Sequence, residues 1–341
     1  MSTIAVSREL WGATMGMAIV DDNEYEDGRE GQRNVLGGAG VYWLVGCRLF
    51  GGRANRHRVG GVIDLGRDFP AAALRQIQLW GMAHVVLREG DRLTTRGVNY
   101  YDNHGVRHFA YKTPKRQIFT ADLVECELVP CQWVHLICLA ARAAEFILEL
   151  TELDPTVKFI YEPLPTDCLP NNLEAMAKLI PHIDVFTPNW EEASSLCSDI
   201  LADDASVKAV AATFASYQKP NSVVVIRQGA KGAYMVQSGQ QDGVQLPAYH
   251  LDQARVIDVT GGGNSFCGGF VAGYQMSGGD WVAAAVAGNI VSGCVIEALA
   301  MPELTVNDDG VELWNNLTTA ERLRRYREQN PHLNFELNIP S

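Results

Sequence analysis

Glycine placement is the feature that most restricts this chain. Ten of its 32 glycines fall between Gly31 and Gly66, and ten more between Gly261 and Gly293. A flexible linker would also be rich in serine and other polar residues, yet both windows are full of Val, Ala, Leu and Phe. Glycines in such company sit where the backbone must turn sharply or approach something closely. The stretch Asp258-Val259-Thr260-Gly261-Gly262-Gly263-Asn264-Ser265-Phe266 follows the strand-like Arg255-Val256-Ile257 and opens a helical pattern running from Phe266 to Met276. A glycine turn leading into a helix start offers unpaired backbone N–H groups and the positive end of the helix dipole, a geometry that binds phosphate. It would serve equally as a tight turn without a ligand. Gly268, Gly269 and Gly273 lie within the helical pattern, where each costs up to about 1 kcal/mol. That cost implies close packing, against a sheet or a nucleotide.

Elsewhere, short apolar strands alternate with helical patterns. Val85–Leu87, Val134–Ile137, Lys158–Tyr161, Asp184–Phe186 and Val223–Ile226 read as buried strands. Ala71 to Trp80, Ala140 to Leu153, Asn171 to Ile180, Glu191 to Leu201 and Ala205 to Tyr217 read as helices between them. This alternation predicts a single α/β domain over 1–341, a parallel sheet covered on both faces, with ligands at the carboxyl ends of its strands. Thr94 to Lys112 breaks the pattern as strand, turn, strand, with Asp102-Asn103-His104-Gly105 as the turn. A hairpin of about 88–112 is expected as a sheet edge or a small lid. A helical tail covers about 311–341, where Arg322, Arg324, Arg325 and Arg327 on the helix Thr318 to Gln329 read as a solvated face.

The formal net charge of −12 argues against broad binding to nucleic acid or to an anionic membrane. No apolar run is long enough to span a bilayer, and Met1 to Leu10 lacks the layout of a secretory signal. Eight cysteines without a Cys-x-x-Cys pair, several inside apolar runs, read as buried reduced thiols of a cytoplasmic protein. His84, His108 and His135 are scattered singly and read as structural, with no cluster pointing to a transition metal.

The glycine loop and its flanks closely resemble the signature of the PfkB, or ribokinase-like, sugar and nucleoside kinases. Asp258, Thr260, Gly261, Gly263, Phe266, Gly268, Gly269 and Phe270 fall in register with it. Four further segments match in the family's order. Gly16 to Asp21 resembles its opening strand, Gly37-Gly38-Ala39-Gly40 its di-glycine signature, Asn189-Trp190-Glu191-Glu192 its Asn-x-x-Glu motif, and Gln228 to Gly232 its nucleotide turn. The resemblance implies a ribokinase-like three-layer α/β/α sandwich with a small β-lid. It implies ATP and Mg²⁺ as cofactors and a sugar- or nucleoside-like hydroxyl as phosphate acceptor. By the same resemblance, Gly261, Gly262 and Gly263 hold the transferring phosphate. Asn189, Glu192, Gly229, Gly232, Asp258 and Thr260 surround the nucleotide, with Glu192 organising Mg²⁺ indirectly. Asp21, Gly37, Gly38, Tyr42 and Arg96 lie on the acceptor side. For Asp21 the alternative is a turn cap, for Arg96 a solvated strand residue, and for Asn189 and Glu192 a helix cap, which is compatible with the site role. A lid edge can also pair with a second copy of the chain.

Two positions depart from the family pattern. The catalytic-base aspartate is replaced by Asn264, and the usual asparagine of the first signature by Tyr42. The two together resemble a fungal offshoot of the family, the killer-maintenance branch. An amide cannot take a proton near neutral pH, and general-base help is worth about 10²–10⁴-fold. Phosphoryl transfer owes most of its acceleration to positioning and electrostatics. A weakened PfkB-type kinase is therefore one expectation, and a catalytically silent nucleotide- or metabolite-binding protein acting through a protein partner is the other.

Overall fold

The computed structural model describes residues 9–103, 107–201, 206–240, 242–337 and 339. His104 and Gly105 of the expected turn, and Ala205 at one expected helix start, lie outside these residues. The strands are β1 Gly12–Thr14, β2 Ile19–Tyr25, β3 Gln32–Gly37, β4 Val59–Gly66, β5 His84–Gly90, β6 Arg96–Tyr101, β7 Arg107–Tyr111, β8 Trp133–Cys138, β9 Lys158–Pro163, β10 Val185–Phe186, β11 Val223–Arg227, β12 Ala233–Gln237, β13 Val244–Leu246, β14 Leu304–Val306 and β15 Glu312–Trp314. The α-helices are α1 Ala39–Gly51, α2 Ala71–Leu79, α3 Thr120–Glu125, α4 Ala140–Leu153, α5 Leu173–Leu179, α6 Trp190–Leu196, α7 Ser198–Leu201, α8 Val207–Ala215, α9 Gly262–Met276, α10 Trp281–Ile296 and α11 Thr319–Gln329.

Nine strands form one sheet in the order β13-β12-β11-β10-β9-β8-β1-β4-β5. From β5 through β11 every pairing is parallel, and β12 and β13 add antiparallel strands at one edge. The sheet is buried on both faces because its central strands carry near-continuous apolar runs. In β11, Val223 and Val225 enter one core with α1, α9 and α10, while Val224 and Ile226 enter the other with α4, α5 and α8. Helices on both faces make the three-layer α/β/α sandwich that the alternation predicted. Strand order reverses beside β1: the chain grows through β4 and β5 on one side and through β8 to β11 on the other. In open sheets of this kind ligands bind outside the carboxyl ends of the strands, which directs attention to that edge.

The lid differs from the expected hairpin. Residues His84–Gly90 pair in parallel with β4 and close the main sheet, so they do not belong to it. The lid is a separate four-stranded sheet, β3-β2-β6-β7, assembled from two distant segments. Asp21 accordingly lies on lid strand β2, and β1 opens the main sheet. Isolated hairpins are marginal in water, and the second pair of strands supplies the missing partner surface.

Three further expectations change. Residues 255–257 form no strand; the backbone there is held by Ile257 N–H donating to the Ile296 carbonyl (2.8 Å). Gly268, Gly269 and Gly273 face helices, not a sheet or a nucleotide. A Cβ at Gly268 would strike the α1 backbone at Trp43, and one at Gly273 would strike Ala287 of α10. In the tail, Arg322 is fully buried; it pairs with Glu297 and donates to the Trp314 carbonyl at 2.8 Å. Arg324, paired with Glu328, and the exposed Arg325 and Arg327 behave as the solvated face predicts. All eight cysteines are free thiols, seven of them buried and Cys126 half-buried. Among the described residues, no helix is long and apolar enough to cross a membrane.

Candidate functional site

The second glycine window builds a cradle at the start of α9. Gly261 precedes the helix with φ +78°, a conformation a side chain would strain, and a Cβ there would overlap the Tyr42 ring. Asp258 shapes the approach: its Oδ1 accepts the Thr260 N–H at 2.9 Å. The first N–H groups of α9 have no partner within the helix; that of Gly262 donates to the Val259 carbonyl at 3.2 Å, and Gly262 and Gly263 border a cavity of about 780 Å³. Gly262 and Gly263 line one wall, Arg227 to Gly232 another, and Asn189 to Glu191 a third. Gly229 leaves open space above its backbone, whereas Gly232 is required by the chain itself, since a Cβ there would strike Leu246 to Ala248.

Asn189 and Glu192 form a capping box. The Asn189 side chain accepts the Glu192 N–H, and Glu192 Oε2 accepts the Asn189 N–H, each at 2.8 Å. Glu192 is buried, and that burial raises its carboxyl above the usual range. Its Oε2 lies 3.9 Å from Arg227 Nη2. With Oε2 tied to a backbone N–H and facing a fixed guanidinium, that oxygen does not fit direct coordination of Mg²⁺, which needs free oxygen donors.

Of the acceptor-side residues, Asp21 and Gly37 meet on the lid sheet, and Tyr42 instead packs at the cradle. The Asp21 carboxylate sits between Gly37 and Gly97, close enough that a Cβ on either would crowd it. Gly38 takes φ +93° where its backbone passes Met17 and Ile19. Tyr42 is buried in the core, its ring against Gly261. Arg96 is half-buried and tied down: it donates to Asp68 Oδ2 at 2.7 Å, to the Asp68 carbonyl at 3.0 Å and to Asn34 at 2.9 Å.

At the base position, the Asn264 amide donates to Glu162 Oε1 at 2.9 Å. Glu162 ends β9 and is almost wholly buried. His135 Nε2 meets the same oxygen at 2.9 Å, and the other His135 ring nitrogen meets Thr14 Oγ1 at 2.8 Å. Arg227 Nη2 lies 3.1 Å from Glu162 Oε2 and donates to the Thr187 carbonyl at 2.9 Å. Burial opposes the Glu162 charge, but Arg227, with His135 and Asn264 assisting, holds its carboxyl down to about 2. Glu162 is therefore ionised and a weak base, so it does not replace the missing aspartate. Cys267 joins His135 and Glu162 in a buried group whose ligand atoms lie within 4.8 Å of one another; Arg227 already supplies the positive charge there.

None of Thr14, His135, Glu162 and Arg227 stands out in the sequence. The available signal was positional: Thr14, Glu162 and Arg227 are polar or charged side chains at or next to the carboxyl ends of strands, and His135 lies in the middle of the apolar β8. Such a residue is costly to bury unless paired or functional.

Comparison with known proteins agrees with this geometry. Residues 56–301 match the pfkB family carbohydrate kinase model. Protein MAK32 of Saccharomyces cerevisiae is 31% identical over 338 residues, covering 93% of this chain and 92% of its own. An uncharacterized Schizosaccharomyces pombe protein is 29% identical over 341 residues, covering 94% of each chain. The crystal structure of a ribokinase from Thermotoga maritima superposes with TM-score 0.64 at 16% identity, covering 94% of this chain and 99% of its own. With the α/β/α sandwich, the lid and the glycine cradle, these findings place the chain in the pfkB family of carbohydrate kinases, in the branch that holds MAK32.

Proposed function

We propose that the chain binds a nucleotide in the 780 Å³ cavity, phosphates against Gly261–Gly263, and that its phosphotransferase chemistry toward a sugar- or nucleoside-like hydroxyl is slowed at proton removal. The observation that carries this reading is the contrast between the two halves of the site. The nucleotide side keeps an open cavity, a helix-start cradle and a guanidinium beside it. The position that should take the acceptor proton is an amide already donating to a buried carboxylate. Backbone N–H groups of the cradle would stabilise charge on the transferring phosphoryl group, and Asn264 could orient a hydroxyl but not deprotonate it.

The packing of Tyr42 against Gly261 favours a second reading, a silent nucleotide-binding protein, because a buried ring occupies the acceptor flank of the cradle. Calorimetric titration with ADP and ATP, paired with ADP release over a panel of sugars and nucleosides, separates them. The first reading expects binding with slow, acceptor-dependent ADP release; the second expects binding alone. Absence of nucleotide binding under all conditions would refute both.

A further inference from the structure

We infer that Arg227 is the cation that meets the nucleotide phosphates, so that nucleotide binding here does not require Mg²⁺. The inference rests on the nucleotide reading above and extends it to one residue and to the metal. Arg227 ends β11 and lines the cavity. The Nη2 edge of its guanidinium is anchored within the protein, on the Thr187 carbonyl and opposite Glu162. Its Nη1 lies directly over Gly263, so close that a Cβ there would overlap it. The group is thus fixed from behind and presents its other edge to the cradle where phosphate oxygens would lie. Nε and Nη2 are both taken up by the Thr187 carbonyl, which leaves Nη1, fixed and permanently charged, to make a charge-assisted hydrogen bond to a phosphate oxygen.

The same geometry disfavours a divalent ion. The carboxylate positioned to organise Mg²⁺, Glu192, has Oε2 bound by the Asn189 N–H and 3.9 Å from Arg227. A cation approaching that oxygen would meet the guanidinium at similar distance. Glu162, the other nearby carboxylate, is spoken for by Arg227, His135 and Asn264. One fixed cation therefore stands between two carboxylates, in the place a mobile one would take.

ADP affinity measured by calorimetry in Mg²⁺ and in EDTA tests this. The expected result for the unmodified chain is agreement between the two within about threefold. Arg227→Gln should weaken ADP binding in EDTA at least tenfold, and Arg227→Lys should recover part of it. Because Arg227→Gln leaves Glu162 unpaired and could unfold the chain, Arg227→Gln/Glu162→Gln removes both charges and should show the same loss. Binding by the unmodified chain in Mg²⁺ but not in EDTA would overturn the inference while leaving the nucleotide reading standing. So would unchanged affinity in the folded double variant. No binding in either medium would overturn the reading on which it rests.

Discussion

Exchanging the amide of Asn264 with the carboxylate of Glu162 tests whether the missing base is what limits transfer. The single change Asn264→Asp is not a clean restoration, because its new carboxylate would face Glu162 across a contact now 2.9 Å long. At an effective dielectric of about 20, two charges at that distance repel by about 6 kcal/mol. That is equivalent to about four pH units on the titration of the pair. Arg227 holds Glu162 ionised, so the second proton of the pair is the one whose titration moves well above the ordinary carboxylate range, and that titration belongs to both groups. The sign follows: a carboxyl whose folded titration lies above its unfolded value costs stability progressively as pH rises past that unfolded value, near 4, until it ionises in the fold. Asn264→Asp should therefore be less stable than the unmodified chain at neutral pH, with the difference growing from pH 5 to pH 8. Glu162→Gln/Asn264→Asp keeps one amide and one carboxylate but moves the charge to the cradle. The new glutamine can donate to the new aspartate, so the repulsion disappears. The double variant should be more stable than Asn264→Asp at pH 8 and release ADP about 10²–10⁴-fold faster with a competent acceptor. Thermal unfolding from pH 5 to 8 and coupled ADP release read the two effects separately. An Asn264→Asp variant as stable as the parent at pH 8 would refute the contact. A folded, ADP-binding double variant with no gain in turnover would refute the base as the limiting defect and point to Tyr42.

Two predictions concern stability. Glu297 is held down to about 2 by His250, Arg322 and Asn315 acting against burial; its stabilisation is full above its ordinary value near 4.5 and is lost as pH falls toward 2. Glu297→Gln should flatten the fall in melting temperature over that window. At pH 7 the same variant should cost about 3–5 kcal/mol, because Arg322 is left charged and buried. Gly268→Ala should gain up to about 1 kcal/mol in helix propensity yet lower stability overall by about 1–3 kcal/mol or more, since its Cβ would meet the α1 backbone at Trp43. Urea unfolding at pH 7 measures both, and a stabilised Gly268→Ala would refute the close helix crossing.

How much of this was legible beforehand depends on the range over which each signal acts. Apolar alternation and helix periodicity are local, so α4 was readable residue for residue over Ala140–Leu153, and the strands within a residue or a few at each end. The glycine cradle was legible because a sharp turn requires glycine at particular successive positions, whatever the rest of the chain does. The lid was only half legible: β6 and β7 are a hairpin, but β2 and β3 join them through the β2–β6 pairing of residues 76 positions apart. The in-helix glycines showed that something comes close but not what, because an absent side chain carries no sign of its neighbour; the answer, α1 and α10, needs coordinates. The buried network is the hardest case. Arg227 reads as one charge after four apolar residues, Glu162 as one charge before a proline, and neither position reveals the other 65 residues away. Their pairing depends on β9, β10 and β11 lying side by side in parallel, which carries each strand end to the same edge. Asn264 then changes meaning. In the sequence it is a base replaced by an amide; in the fold it is a donor to a carboxylate that an arginine at the cradle holds ionised. The substitution and the arginine are thus parts of one charge arrangement, and altering either should be judged against the other.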